Sequence, residues 1–217
     1  MRQTLCISVC LAGLAALAAH AEIVDRIAVS VGNRVITESD LYREIRLTAF
    51  LNGQKPDFSP ESKRQTAERL VDQRLMRTEL DMSRYLLPTA EESDAALREL
   101  KSRFPDDGAY NRGLAEYGIR EDDLTARLTW QLTLVHFIDV RFRAGIQVSD
   151  EEVRNYFNER LRPILEKTHP GQPVSLDDYR DTIERTLTGE AADQQAEQWL
   201  KRARSRNRIV YRDEVFR

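Results

Sequence analysis

The chain has 217 residues, of which 32% are charged and 41% hydrophobic, with a formal net charge of −3. Acidic and basic residues alternate along the chain, which is the pattern of solvated helix faces and excludes a polyanion-binding or membrane-surface protein dominated by one sign of charge. Both cysteines, Cys6 and Cys10, lie within the first 21 residues, so the rest of the chain has no disulfide and no thiolate metal site to hold it together.

The N-terminus reads as an export signal. Arg2 supplies a positive start, Leu5 to Ala19 an apolar run, and Ala19-His20-Ala21 a small-x-small cleavage site, so residues 1–21 are expected to be removed. The apolar run is too short for a comfortable membrane span, and no second run follows. The expected product is an exported protein of residues 22–217 with no stable membrane insertion.

Ile23 to Leu41 organises what remains. Ile27, Val29 and Val31 alternate with Ala28 and Ser30 at the period of a half-buried strand, Gly32-Asn33 closes a two-residue hairpin, and Val35-Ile36 returns. Thr37 with Asp40 three residues later reads as a helix N-cap with an acidic residue in the first turn. A lone hairpin is marginal in water and needs a further strand or a helix over its apolar face. The other strand-like segment is Arg208 to Arg212, so the two ends are predicted to meet in one small sheet.

Between those ends the periodicity is helical. A helix is predicted over 38–52, ended by Gly53, and a second from the Ser59-Pro60 start toward Pro88. Thr89 with Glu92 resembles a capping box for a third helix running to Phe104. A short helix over 110–117 ends at Gly118, and the most hydrophobic helix runs from Arg120 to about Phe142, with Trp130, Leu134 and Phe137 beside its main stripe. Ser149 with Glu152 caps a helix to about Glu166. Lys167 to Val174 is a loop, and Ser175 is expected to cap a last helix reaching about Ser205.

Little in the sequence can perform catalysis. His136 and His169 lack partners at metal-ligand or triad spacing, and no phosphate loop, nucleophile elbow or zinc-protease motif occurs. No catalytic residue, metal or cofactor is expected. The basic run Lys201 to Arg208 lies at the end of a long helix, where its charges complement the helix dipole, and no nucleic-acid partner is expected.

The stretch I-V-D-R-I-A-V-S-V-G-N-R-V-I-T-E-S-D-L resembles the N-terminal signature of the SurA family of periplasmic chaperones and parvulin-type peptidyl-prolyl isomerases. The helix L-V-D-Q-R-L-M-R-T-E-L, the segment I-Q-V-S-D-E-E-V-R-N-Y-F-N-E and the ending W-L-K-R-A-R with R-I-V-Y extend the resemblance over most of 22–211. In that family, parvulin domains follow the helix corresponding to 149–166. Here the return to the last helix takes eight residues, too few for a domain of at least about 40 residues. The resemblance therefore implies a mainly α chaperone module with a small antiparallel sheet, closed by its own helix and strand over 175–213, without isomerase chemistry.

The function implied is that of a holdase for unfolded exported polypeptides, outer-membrane proteins among them. A dedicated interaction subunit of an envelope complex is the alternative, and a relative with residual isomerase activity the third reading. Aromatic and apolar residues at helix ends and loops are the candidate client contacts: Phe50, Phe58, Tyr85, Leu86, Tyr110 and Tyr117.

Overall fold

The computed structural model describes residues 25–82, 85 and 87–217. The expected signal segment and Leu86 lie outside the described residues. The remainder is mainly helical with one small antiparallel sheet, as the periodicity implies. Strands β1 (Ile27–Val31) and β2 (Arg34–Thr37) lead into α1 (Glu38–Asn52), followed by α2 (Pro60–Met82), α3 (Ala90–Lys101), α4 (Asp107–Tyr117) and α5 (Glu121–Ile138). After these come α6 (Asp150–Tyr156), α7 (Arg162–Thr168), α8 (Arg180–Arg206), β3 (Ile209–Tyr211) and a 3-10 turn at Asp213–Phe216.

The sheet order is β2-β1-β3, so the N-terminal hairpin is completed by the C-terminal strand. Val29 faces Tyr211, Ser30 faces Val210 and Val31 faces Ile209 in an antiparallel register. Gly32 takes φ +58 at the first central position of the hairpin turn, where an L side chain is strained, and its N–H donates to the Arg208 carbonyl at 2.9 Å. One turn thereby binds both ends of the chain.

Strict alternation along β1 fails at its start. Ile27 pairs with Thr37 and Val29 with Ile36, leaving Ala28 as an extra residue in a bulge. Ala28 and Val29 are fully buried while Ile27 is 43% exposed, so Ile27 does not belong to the buried face that alternation predicts. On β2, Ile36 points inward and Val35 outward.

Three helix starts carry the reciprocal capping box. Thr37 with Asp40, Thr89 with Glu92 and Ser149 with Glu152 each exchange side-chain and backbone hydrogen bonds. α2 opens on Ser59, whose hydroxyl accepts from the Ser62 N–H at 3.2 Å. α1 ends on Gly53 in the left-handed region, its N–H donating back to Ala49 and Phe50.

The last helix begins at Arg180 and not at Ser175, because residues 176–179 form a turn closed by the Tyr179 N–H on the Leu176 carbonyl at 3.0 Å. Two π-helical turns were also not foreseen. The turn at Asp139–Arg143 extends α5, and the one at Phe157–Leu161 joins α6 to α7. Pro163 follows the second; it has no N–H to give to a carbonyl one turn back and its ring would crowd residue 159 in a regular helix, which the wider turn relieves. The first π turn places Phe142 5.6 Å from Phe137 and sets both rings around Trp199, at 6.2 and 5.7 Å.

The interior consists of four apolar clusters strung along the helices. Ala28, Val29, Val31, Ile36 and Leu41 pack on Ala67, Val71 and Leu75 of α2 and on Val215 from the C-terminus. Leu47 and Phe50 of α1 join Leu100, Tyr110, Leu114, Ile119 and Leu124 in a second cluster. α1 is thus the shared wall of these two. Phe137, Phe142 and Ala192 form the third, and Val153, Phe157 and Ile183 the fourth, beneath α6 and the first half of α8.

Candidate functional site

α2 and α5 flank a cleft of about 620 Å3. From α2 come Arg77, Leu80 and Asp81, which share a face at helical spacing; from α5 come Asp122, Thr125, Ala126, Thr129, Trp130 and Thr133; Leu87 and Pro88 of the α2–α3 connection complete it. α5 supplies a mixed wall because three threonines at four-residue spacing alternate with Ala126 and Trp130. The second and third hydroxyls are turned back on their own helix: Thr129 Oγ1 donates to the Thr125 carbonyl at 2.9 Å and Thr133 Oγ1 to the Thr129 carbonyl at 2.8 Å. Their methyl groups and oxygen lone pairs remain for a ligand.

The Trp130 indole is buried, and the Arg77 guanidinium carbon stands 4.1 Å above its ring centroid. That geometry is a cation-π stack, which fixes the plane of the guanidinium. Neighbouring arginines each hold a carboxylate: Arg34 on Asp81 at 2.6 Å, Arg43 on Asp40 at 3.2 Å, Arg74 on Asp40 at 3.5 Å and Arg127 on Glu44 at 3.2 Å. Arg77 has no such carboxylate within 4.0 Å among the described residues. Loss of water around its head group lowers its pKa from the usual arginine value, Arg74 and Arg34 act in the same direction, and Asp81 opposes them. Arginine remains protonated at physiological pH, so Arg77 brings a fixed positive charge to a lining that also carries Asp81 and Asp122.

The apolar rim of this region is open. Leu87 is 64% exposed in the cleft, and Met82, at the end of α2, is 72% exposed. Met82 borders a smaller hollow of about 200 Å3 with Trp199, Arg202 and Arg206. These two side chains add apolar surface beside the cleft.

The residues singled out from sequence lie elsewhere. Phe50 and Tyr110 are buried in the second cluster and are not surface contacts: Phe50 stacks on Phe104 at 5.7 Å, and Tyr110 meets Phe104 edge-on at 5.4 Å. Burial raises the Tyr110 phenol pKa, with Glu121 adding to the effect. Tyr117 is half-buried, edge-on to Phe50 at 5.4 Å, and its hydroxyl donates to the Gln54 carbonyl at 2.9 Å. Helix ends in this chain turn inward around a four-ring aromatic cluster, which is why an end position gave no exposure.

Phe58 is exposed and packs edge-on to Tyr42 at 5.4 Å. Tyr85 is half-buried and edge-on to Phe137 at 5.3 Å. None of these five lines the cleft. The sequence does carry a signal for it, the Thr125, Thr129, Thr133 stripe on an otherwise apolar helix with Trp130 beside it, since a purely buried helix has no use for three hydroxyls on one face.

No group of three or more His, Cys, Asp or Glu among the described residues is placed to hold a metal ion. No described helix is long and apolar enough to cross a membrane. His136 is 3.9 Å from Glu92 on the face of α5 toward α3. In the basic run, Arg204 is committed to Asp72 at 2.7 Å and to Glu68 at 3.4 Å, and the Asp72 hydrogen bond raises its already high pKa. No family model matches the chain, and no curated protein matches its sequence.

Proposed function

We propose that this chain acts in the periplasm as a holdase-type chaperone that shields unfolded exported polypeptides, outer-membrane proteins among them, without isomerase chemistry. The observation that carries the reading is the open cleft between α2 and α5, with Trp130, Leu80 and Pro88 in its walls and Leu87 bare at its rim. An unfolded barrel strand exposes alternating apolar and polar side chains, and a cleft that mixes Leu80, Leu87, Pro88 and Trp130 with threonine hydroxyls and charged groups offers both a partner. The SurA-like hairpin, helix and closing-strand segments support the same reading. The chain passes from α7 to α8 through residues 169–179, so the proposed client surface is the helical body itself.

The test is light scattering of a urea-unfolded barrel protein diluted with and without this chain. Suppression at near-stoichiometric ratio, changing little between low and high salt, is the expected result, because burial of apolar area is only weakly screened. Absence of suppression at either salt defeats the holdase reading and favours a dedicated interaction subunit. Suppression confined to low salt assigns capture to exposed charge, such as Lys201 and Arg202. In a protease-coupled assay on a proline peptide, the purified protein is expected to give no acceleration; clear acceleration overturns the absence of isomerase chemistry.

A further inference from the structure

We propose that the α2–α5 cleft recognises the free C-terminal carboxylate of a polypeptide whose last residue is apolar, with Arg77 as the carboxylate contact. The proposal rests on the holdase reading for the identity of its ligand class and sharpens it from "apolar segment" to "apolar chain end".

The argument begins with Arg77. Arg34, Arg43, Arg74 and Arg127 around it each hold a carboxylate, whereas Arg77 has none within 4.0 Å among the described residues. Asp81, one helical turn from Arg77, is taken by Arg34 at 2.6 Å. Arg77 is instead stacked on Trp130 at 4.1 Å. A guanidinium seated over a ring by its central carbon keeps N–H donors along its edge, with no protein acceptor for them among the described residues, and such an edge can grip a carboxylate with two parallel hydrogen bonds.

The surroundings of that edge select among carboxylates. Leu80, Leu87, Pro88 and Ala126 share the cleft with Arg77, so the ligand has to present an apolar group close to its negative charge. In a chain-terminal leucine or phenylalanine, one carbon carries both the carboxylate and the apolar side chain, and a single residue satisfies both walls. A glutamate or aspartate within a chain places its charge on the side chain that would otherwise fill the apolar wall. Asp81 and Asp122, also in the lining, disfavour a ligand with a second negative charge.

The experiment measures fluorescence anisotropy of N-terminally labelled hexapeptides of alanine and leucine ending in leucine. One has a free acid, one a C-terminal amide, and a third is amidated with a glutamate at its centre. The acid is expected to bind about tenfold more tightly than the amide, the scale of one charge-assisted bidentate contact. Arg77→Gln is expected to abolish that ratio, and Arg77→Lys to retain part of it. Equal binding of acid and amide overturns the carboxylate contact, and so does an acid-to-amide ratio that survives Arg77→Gln. A central-glutamate peptide that binds as tightly as the acid overturns the choice of chain end. Absence of peptide binding alongside intact suppression of aggregation places the clients outside this cleft and overturns the proposal while the holdase reading stands; loss of suppression with retained acid binding does the reverse.

Discussion

Removing residues 207–217 should lower the melting temperature by about 10–20 °C. The deleted segment carries β3 and the 3-10 turn, and with them Val215, 2% exposed, together with the partly buried Ile209, Tyr211 and Phe216 of the first cluster. Each large apolar side chain contributes roughly 1.5–3 kcal/mol when fully buried and less when partly so, about 4–6 kcal/mol in all. For a chain of this size each kilocalorie moves the midpoint by roughly 2–4 °C. Whole domains are stable by only about 5–15 kcal/mol, so the truncated chain retains little margin.

Two polar contacts add to the expected loss. Lys63 is buried on α2, and its ammonium donates to the Val215 carbonyl at 2.8 Å; without the tail that charge has lost its acceptor. Arg64 stacks over the Tyr211 ring at 3.9 Å. The check is thermal unfolding followed by circular dichroism, with a chain lacking only Arg217 as control. A truncated chain that melts within a few degrees of the full one refutes the view that the two ends fold as a unit.

How far the sequence revealed this molecule depends on whether a feature is local. Thr37, Thr89 and Ser149 were legible as caps because a capping box is made by residues three apart, and no distant contact is needed to close it. The union of the ends was legible for a thermodynamic reason: a hairpin lacks stability alone, and Arg208 to Arg212 was the remaining strand-like segment. The bulge at Ala28 was hidden, since period-2 alternation reads the same with or without one extra residue until the partner strand fixes the register. The helix expected from Ser149 to about Glu166 ran straight through Pro163, and the π turn that precedes this proline packs Phe157 beside Val153 and Ile183.

The candidate site was less legible for the same reason. Phe50 and Tyr110 sit toward helix ends, yet Leu100 of α3, Phe104 of the α3–α4 connection and Leu114 of α4 join them in one buried cluster. Trp130 read as one more member of an apolar stripe. Its role depends on Arg77, 53 positions earlier, and no spacing rule connects a residue on α2 to one on α5. Exposure of Leu87 and commitment of Asp81 to Arg34 are likewise settled only once the connection after α2 is placed.

Arg127→Met should cost about 3–5 kcal/mol near neutral pH, the scale of stranding a buried charge by removing its partner. Glu44, on α1, is 6% exposed at the junction of the first two clusters, and Arg127 Nε approaches its Oε1 to 3.2 Å. Burial raises the Glu44 pKa above the ordinary 4.5, while Arg127 and then Arg69 pull it down by less. The folded state therefore holds the Glu44 proton more tightly than the unfolded chain. This stabilising contribution is full below 4.5 and is lost as pH rises through the raised folded value. Taking Arg127 away removes the main force opposing that rise, so the variant should be weakest at about pH 8 and recover part of the loss as the pH falls toward the ordinary 4.5, since a carboxyl held above that value takes up its proton on the way. Adding Glu44→Gln to Arg127→Met should restore stability at about pH 8 and flatten the dependence, since no buried charge then remains to be stranded. Urea unfolding at the two pH values measures both effects. An equal loss for Arg127→Met at both, with no rescue by Glu44→Gln, would show that Arg127 supports the fold through the packing of its side-chain stem and not through its charge.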